Sequence, residues 1–380
     1  MRDAFKLILV IALIYFAQPQ TQACTSFAVY SGQIWYGMNF DYASTPIKFS
    51  IVNTGTKKVF RAGFGNAGYI SGINEAGLFS NYQLLYYNGG TPIFEESNTL
   101  FINELNEHSI NNLNTVSEVN NYIGDQFLIP KNDLYLHTLY ADTAGDAMVV
   151  EPFGSINGIT PVQNNFLVMT NFPNYDFIGE NYNTVFGVGS DRYILAYEYI
   201  QDHISDFSYE DGLETLSKTV QTTGDYPTQI SLLYDPLKLD IYFCLSLDFT
   251  KVWKVSLQDE TLETYSGFSE NHSYTLDETG ILASELLDDI TSVENPFNAM
   301  HQINELYPNP TSGQFSIDLS HFSSLNSKIE VFTSQGKLLL VKDVLNQTSA
   351  VLDLTNHPKG VYLVRVLNDT EMFIECLILE

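Results

Sequence analysis

The stretch CTSFAVYSGQIWYGMNFDY, Cys24–Tyr42, decides the fold of the first part of the chain. Aromatic and apolar residues that suit strands fill both halves of it, and Ser31-Gly32 between them is a hairpin signal. We therefore expect two paired strands, Thr25–Tyr30 and Gln33–Asn39. A cysteine stands directly before the first strand, so the residues that precede it decide what that cysteine can do.

Those preceding residues, 1–23, have the pattern of a secretory signal peptide. Arg2 and Lys6 give a positive start, Leu7–Phe16 is an apolar run, and Ala23 is a small residue at the expected cut. The apolar run is too short to span a bilayer, and no later segment is long enough either. We expect no transmembrane helix in the mature protein.

Cleavage after Ala23 makes Cys24 the first residue. A thiol attacks well only as the thiolate, so something must take its proton. A free α-amine has an ordinary pKa of about 7.7–8.0 and can act as the base within the same residue. No histidine is then required. A lipoprotein signal is the alternative, but Gln22 fits poorly where such signals carry a small residue.

Charge and composition exclude several other classes of function. The formal net charge is -28, with no basic run, which argues against a nucleic-acid partner. The other two cysteines, Cys244 and Cys376, lie in apolar runs and are expected to be buried rather than paired in a disulfide. The spacings typical of metal sites are absent, so no metal or cofactor is expected.

The opening stretch and several later segments resemble the choloylglycine hydrolase family, which includes bile salt hydrolases, penicillin V acylases and relatives of acid ceramidase. The family pattern is Cys-Thr followed by Gly-Arg-Asn-x-Asp, and further segments match it in order over about residues 24–260. The matching segments are Cys24–Val29, Tyr36–Tyr42, Gly72–Leu78, Asp142–Asp146 with Val149–Glu151, Val168–Pro173 and Ser190–Tyr193. The resemblance implies an α+β fold with four αββα layers, that of N-terminal-nucleophile hydrolases.

The resemblance also implies a set of catalytic residues. Cys24 corresponds to the nucleophile, Asp41 to a carboxylate that orients its amine or thiol, and Asn171 to an oxyanion donor. Arg192 is expected close to the nucleophile. Gln83 is our candidate for the second oxyanion donor, with Asn81, Tyr82 and a backbone N–H as alternatives.

One departure from the family pattern concerns Met38, which stands where the family has an arginine. Methionine cannot donate a hydrogen bond or carry charge. The change indicates either a substrate without the usual polar head group, with Met38 packing against an apolar one, or reduced activity. The loop Leu84–Asn98 is either a border of the acyl pocket or a plain surface loop.

Periodicity predicts the remaining elements of this domain, residues 24–291. We expect strands and helices in alternating blocks, as in an α+β domain. The predicted helices are Thr99–Ser109, Val116–Ile123, Asp191–Ile204 and Tyr209–Val220. The predicted strands are Lys48–Asn53, Lys58–Ala62, Thr138–Val150, Ile230–Tyr234, Ile241–Leu247 and Val252–Leu257.

A linker, residues 292–302, separates this domain from a second one at 303–380. Short strands at close spacing predict a small all-β sandwich there. Ile303–Gly313, Gln335–Lys337 and Pro358–Arg365 resemble type IX secretion sorting domains of Bacteroidetes. The resemblance implies export through the periplasm and then passage of the outer membrane, directed by the secretion machinery.

Taken together, these patterns predict a secreted cysteine amidase that hydrolyses a linear, non-peptide C-N bond of an N-acylated small molecule through a thioester. An acyltransferase of the same fold is an alternative, in which an amine replaces water. A catalytically inactive surface binding or adhesion protein is the alternative from a different class.

Overall fold

The computed structural model describes residues 24–64, 69–222, 224–291, 306–319, 327–333, 338–345, 347–367 and 372–379. The predicted signal peptide and the predicted linker lie outside these residues. The chain divides into two compact units between Leu286 and Leu287. Within the described ranges, no helix is long and apolar enough to cross a membrane.

The first unit contains two eight-stranded sheets, and the predicted hairpin lies in the first of them. Its strand order is β12-β1-β2-β13-β14-β15-β16-β17, and each neighbouring pair is antiparallel. These strands are β1 (Thr25–Ser31), β2 (Gln33–Asp41), β12 (Phe166–Met169), β13 (Thr228–Asp235), β14 (Asp240–Leu245), β15 (Val252–Ser256), β16 (Thr261–Ser266) and β17 (Ser273–Thr275).

The second sheet has the order β11-β10-β9-β6-β5-β4-β3-β18 and is also antiparallel throughout. Its strands are β3 (Ile47–Asn53), β4 (Lys58–Phe64), β5 (Tyr69–Asn74), β6 (Phe79–Leu84), β9 (Leu136–Ala141), β10 (Ala147–Pro152), β11 (Asn157–Pro161) and β18 (Ile281–Leu282). A separate parallel pair joins β7 (Thr99–Phe101) to β8 (Phe127–Ile129).

Side chains from the two sheets meet in a buried layer. Tyr36 of β2 packs on Phe79 of β6 with ring centroids 5.3 Å apart, and Phe49 packs on Phe243 at 4.4 Å. The Ser71 and Tyr234 hydroxyls form a hydrogen bond of 2.7 Å across the same layer. Aromatic pairs of this kind add to the area that the two faces bury.

Helices cover the other face of each sheet through apolar residues three or four positions apart. Helices α1 (Ile102–Asn112) and α2 (Val116–Ile123) share a core with Tyr140 and Val150 of the second sheet. Helices α3 (Ser190–His203) and α4 (Tyr209–Lys218) share one with Phe27 of the first sheet. A further helix, α5 (Ala283–Thr291), runs across the division at Leu286 and Leu287.

Gly37 in the middle of β2 allows this packing to be close. A Cβ atom built at Gly37 would lie 2.2 Å from the ring of Phe27 on the neighbouring strand. That contact is impossible for real atoms, so the phenyl ring occupies the space that a side chain would need. The glycine of the opening motif is therefore required by packing on the helix-covered face.

The second unit consists of two antiparallel sheets that share one apolar core, with Phe315, Ile329 and Val364 among its members. The sheet orders are β19-β20-β23 and β22-β21-β24-β25. These strands are β19 (Leu306–Tyr307), β20 (Gln314–Asp318), β21 (Ser327–Thr333), β22 (Leu338–Val344), β23 (Ser349–Asp353), β24 (Gly360–Leu367) and β25 (Met372–Leu379).

Most of the predicted elements are confirmed to within two or three residues, but two predictions are wrong. The predicted helix Thr99–Ser109 starts too early, because Thr99–Phe101 pairs as a strand with Phe127–Ile129. The predicted strand Thr138–Val150 is two strands, with a turn at Asp142–Asp146 where the Asp142 side chain accepts from nearby backbone N–H groups. The sequence reading also missed β5 and β6. Cys244 is buried as expected, whereas the side chain of Cys376 lies outside what the structure describes.

Candidate active site

Cys24 lies at the start of β1, beside the end of β2, and only 2% of its surface is exposed. The backbone N–H of Asp41 donates to Cys24 Sγ at 3.5 Å, and the thiol lies 3.8 Å from the Asp41 carbonyl oxygen. The pairing of β1 with β2 produces this proximity, because Thr25 lies opposite Asn39 in the register. The hairpin therefore fixes the sulfur against the main chain.

The nitrogen of Cys24 is held separately from its sulfur. It donates to Asn171 Oδ1 at 2.5 Å, and Asn171 Nδ2 donates to the Leu84 carbonyl at 2.6 Å. Asn171 follows β12, which pairs with β1 and so brings the segment alongside Cys24. Leu84 uses one N–H of the Asn171 amide. Because that amide carries two N–H groups, a second one is available in addition to the bond to Leu84.

The carboxylate of Asp41 forms what we call the Asp41 network, with Arg192, Gln221 and Thr228. Arg192 donates to Asp41 Oδ2 at 2.6 Å, and the Thr228 hydroxyl donates to Oδ1 at 2.5 Å. Arg192 also donates to Gln221 Oε1 at 3.2 Å, and the Gln221 N–H donates to Thr228 Oγ1 at 2.8 Å. Charge-assisted bonds of this kind are about twice as strong as neutral ones.

Three elements supply this network. Asp41 ends β2, and Thr228 begins β13 directly opposite it in the sheet register. Arg192 lies in the first turn of α3, which follows Gly189 in a left-handed conformation with φ of 81°. Glycine adopts that conformation at little cost, so the chain can turn sharply into the helix. The helix start therefore directs Arg192 at the end of β2.

Burial dominates the electrostatics of both acidic groups. It raises the pKa of Asp41 to about 7, although Arg192 and the Thr228 hydroxyl both act to lower that pKa. Burial also raises the pKa of the Cys24 thiol far above its ordinary value, and the nearby Asp41 carboxylate raises it further. The backbone N–H of Asp41 and the charge of Arg192 act in the opposite direction. Cys24 is therefore a neutral thiol at rest.

Gln83 lies near Cys24, but its side chain is engaged elsewhere. Its amide lies 2.5 Å from Ser26 Oγ. The orientation that satisfies both of its polar atoms has Oε1 accepting from Ser26 and Nε2 donating to the Thr170 carbonyl at 3.0 Å. The alternative Asn81 donates to Ser26 Oγ and accepts from the Leu139 N–H, and Tyr82 donates to the Asn103 carbonyl. Gln83 and Tyr82 both line the cavity that opens from Cys24.

A cavity of about 670 Å³ opens from Cys24. Most of its lining is apolar or aromatic, and Glu107 and Lys131 are the charged side chains that line it within the described residues. The apolar and aromatic lining residues are Phe40, Tyr42, Phe64, Tyr69, Ile70, Tyr82, Leu84, Leu134 and Leu136. In the loop Leu84–Asn98, Leu84 is the residue that borders this cavity. A lining of this composition suits an apolar ligand group.

Met38 is fully buried and does not line the cavity. It lies two residues from Tyr36 and from Phe40 on the same strand, so these three side chains point to the same face of the sheet. Of the two alternatives for Met38, packing against an apolar head group in this cavity is therefore not supported by its position. The side chain belongs to the protein interior.

The structure thus brings Cys24, Asp41, Asn171 and Arg192 together, and it adds Thr228 and Gln221, which sequence reasoning missed. The sequence contained no signal for either, because both act through their distance from Asp41 in space. In one respect the geometry differs from the expectation: Asp41 contacts the thiol through its backbone, while its carboxylate faces Arg192 and Thr228. Within the described ranges, no group of three or more His, Cys, Asp or Glu residues converges as metal ligands do.

Comparison with known proteins gives two family matches. Residues 36–210 match the linear amide C-N hydrolases of the choloylglycine hydrolase family, and residues 305–380 match a secretion system C-terminal sorting domain. No curated protein matches the chain.

Two solved structures are similar to the first unit. Penicillin V acylase from Agrobacterium tumefaciens has 16% identity and a TM-score of 0.50, covering 64% of this chain and 91% of its own. A cysteine-to-alanine mutant of conjugated bile acid hydrolase from Clostridium perfringens has 16% identity and a TM-score of 0.49, covering 67% and 97%. At this identity the likeness concerns the fold alone. Residues 36–210 thus match a family of hydrolases of carbon–nitrogen bonds other than peptide bonds, and the chain carries a C-terminal secretion sorting domain.

Proposed function

We propose that the first unit is a cysteine N-terminal-nucleophile amidase in which Cys24 supplies both the nucleophile and the base. One observation carries the proposal. The nitrogen and the sulfur of the same residue are each bound by a separate partner, Asn171 and Asp41, at one end of a cavity large enough for a substrate. A structural cysteine needs neither arrangement.

The proposed chemistry requires that residues 1–23 be removed. In the full chain the nitrogen of Cys24 is a peptide N–H, which is not basic. Cleavage converts it into an amine with an ordinary pKa of about 7.7–8.0, of which roughly a quarter is neutral near physiological pH. Asn171 Oδ1 accepts a hydrogen bond from either form. Because the thiol is neutral at rest, a base this close removes the proton only when the reaction begins.

The reaction then proceeds in two acyl-transfer steps. The α-amine takes the Cys24 thiol proton, and the sulfur attacks the carbonyl carbon of the substrate amide. The resulting ammonium gives its proton to the leaving nitrogen as the C-N bond breaks, which leaves a thioester on Cys24. Water then attacks the thioester, losing its proton to the α-amine, and the free acid leaves as the thiol is restored.

The negative oxygen that forms in each step needs fixed donors. The second N–H of Asn171 is our candidate, with Gln83 as the other if its amide is released from Thr170 when substrate binds. Losing one such donor costs about 3–4 kcal/mol in well-studied enzymes. Arg192 contributes positive charge, and Asp41 holds Arg192 in place.

The cavity indicates the class of substrate. Its volume falls within the range of about 300–1,000 Å³ that is usual for small-ligand sites, and apolar side chains dominate its wall. We propose an N-acylated small molecule whose apolar acyl group fills this cavity while the scissile carbonyl lies at Cys24. The buried Met38 adds no polar contact.

The whole chain is then organised for export. We propose a signal peptide at 1–23, a four-layer αββα hydrolase domain at 24–291, a linker at 292–302 and a sorting domain at 303–380. The sorting domain supports secretion or attachment to the cell surface. The further proposal is a route through the periplasm followed by passage of the outer membrane.

The test is to determine the N-terminal residue of the exported protein and to compare two recombinant forms. One form begins at Cys24. The other retains Ala23, so it keeps the thiol but carries its α-amine on Ala23 and has a peptide N–H at Cys24. We expect the first form to release free acid from N-acylated substrates and the second to be inactive. Equal activity of the two forms would falsify the α-amine as base. Formation of a new N-acylated product from an added amine would instead indicate the acyltransferase.

A further inference from the structure

Glu151, the residue before the last of β10, is a fully buried carboxylate that does not line the cavity. Its Oε1 accepts from His137 Nδ1 at 2.9 Å and from the Asn174 N–H at 2.8 Å, and its Oε2 accepts from the Tyr175 N–H at 2.9 Å. A buried carboxylate is costly unless such donors satisfy it. Three donors from two different parts of the chain converge on this one group.

Those donors lie on segments that either carry a proposed oxyanion residue or pair with the strand that carries one. Asn174 follows Asn171 by three residues, and its side chain donates to the Val168 carbonyl of β12 at 2.8 Å. The segment 168–175 is thus held by Cys24 at its middle and by Glu151 near its end. His137 lies opposite Gln83 in the pairing of β6 with β9. Glu151 therefore links the Asn171 segment to the strand beside Gln83.

We propose that Glu151, together with His137, is a positioning residue for the Asn171 segment. It sets Asn171 so that one side of the amide holds the Cys24 nitrogen and the second N–H is directed at the substrate carbonyl oxygen. This inference rests on the proposed function. Glu151 acts through Asn171 and does not touch the thiol, so its loss lowers turnover much more than it lowers the reactivity of Cys24.

The hydrogen bonding of His137 supports a dedicated role. Because Glu151 accepts from Nδ1, that nitrogen carries the hydrogen. The other ring nitrogen, Nε2, is buried and has no hydrogen-bond partner among the residues that the structure describes. Among the described residues, Glu151 is therefore the hydrogen-bond partner of the imidazole. This arrangement is expected of a group that orients a carboxylate.

Gly158 of β11 provides the space for this arrangement. A Cβ atom at Gly158 would lie 3.1 Å from Tyr175 Cβ and 3.3 Å from Glu151 Oε2. These distances are tighter than ordinary contacts, so a methyl group there would displace the carboxylate or the segment by a few tenths of an ångström. Gly158→Ala is therefore a mild perturbation of the same contact.

The test compares Glu151→Gln with Asp142→Asn. Asp142 is also buried and directly follows β9, the strand that carries His137, about 17 Å from His137 at roughly 3.3 Å per residue. It also accepts from three backbone N–H groups. We expect Glu151→Gln to lower kcat about a hundredfold with KM within about threefold, since small misplacements can cost that much. Asp142→Asn should lower Tm comparably while kcat stays within about threefold.

Alkylation of Cys24 by iodoacetamide separates this inference from the proposed function. Its rate should fall much less than kcat in Glu151→Gln, because the carboxylate reaches the thiol only through Asn171. A fall as large as that in kcat overturns the positioning role. A kcat for Glu151→Gln equal to that of Asp142→Asn overturns the positioning role alone. Activity in a Cys24→Ala protein overturns the proposed function instead. If Glu151→Gln does not fold, Gly158→Ala decides: a kcat about five- to tenfold lower supports the role, and an unchanged kcat overturns it.

Discussion

The two sides of the space around Cys24 differ in kind. On one side the Asp41 network is buried and charged, and its atoms are tied to one another by hydrogen bonds of 2.5–3.2 Å. On the other side the cavity wall is largely apolar and aromatic. Directional bonds hold atoms at fixed positions, whereas apolar contact is non-directional and scales with area. The polar side should therefore control the rate of the chemical step, and the apolar side the affinity for substrate.

The largest effect should come from Cys24 itself. Cys24→Ala removes the proposed nucleophile, so acid release should fall more than about a thousandfold while the fold remains intact. The matched control is Cys244→Ala, which removes an equally buried thiol from β14. Turnover assays with circular dichroism on both proteins provide the measurement. Substantial residual activity in the Cys24→Ala protein would show that the nucleophile is another residue and that these two sides do not flank the reacting atoms.

A second test removes the charge from the polar side. Asp41→Asn keeps the shape but leaves Arg192 without its anionic partner at Asp41, so we expect kcat to fall about a hundredfold with little change in KM. Asp235→Asn is the control, because Asp235 is also buried on the first sheet and pairs with Lys238 at 2.9 Å. A change confined to KM would contradict the division between the two sides.

A third test uses pH. Asp41 has a pKa raised to about 7, so the carboxylate that accepts from Arg192 forms as the pH rises through about 7. We expect kcat/KM to rise through the same range. Thr228→Val removes a donor that lowers this pKa, so the rise should move to higher pH.

The control for the pH test is Thr160→Val, since Thr160 is buried in β11 and its hydroxyl has no partner among the described residues. The two pH profiles are measured on the same substrate. A profile for Thr228→Val that coincides with the wild-type profile would show that Asp41 ionisation does not limit the reaction.

The smallest effect should come from the apolar side. Leu134 lines the cavity and is 49% exposed, so Leu134→Ala removes substrate contact at small structural cost. We expect KM to rise about five- to tenfold, with kcat unchanged, as for the loss of one or two buried methylene contacts at about 0.8 kcal/mol each. Leu195→Ala is the control, because Leu195 is 45% exposed and does not line this cavity. A lower kcat for Leu134→Ala would contradict the assignment of affinity, and not rate, to the apolar side.

Local patterns in the sequence predicted the elements and residues that depend on short stretches of chain. Cys24 and Asp41 lie within one hairpin, whose turn and alternation are visible in the residues themselves. Arg192 was found because Ser190–Tyr193 resembles a short family segment at a helix start. The helices α2, α3 and α4 were visible from their apolar spacing.

Contacts between distant segments could not be predicted in the same way. Thr228 and Gln221 belong to the site only because β13 lies opposite β2, and no local pattern encodes that pairing. Strands β5 and β6 were missed because their small and polar residues, such as Ser71 and Asn81, are buried between other strands and break the usual alternation. The direction of the Asp41 carboxylate depends on partners 151 and 187 residues away.

Those long separations bear on how the protein folds. Asp41 meets Arg192 and Thr228 only after more than half of the first unit has been brought together, and such non-local contacts form slowly. A partly folded chain, or a fragment that ends before Arg192, would contain Cys24 and Asp41 without the rest of the network. Recovery of catalytic activity after refolding should therefore follow the recovery of helix signal, and it would serve as a reporter of the completely folded unit.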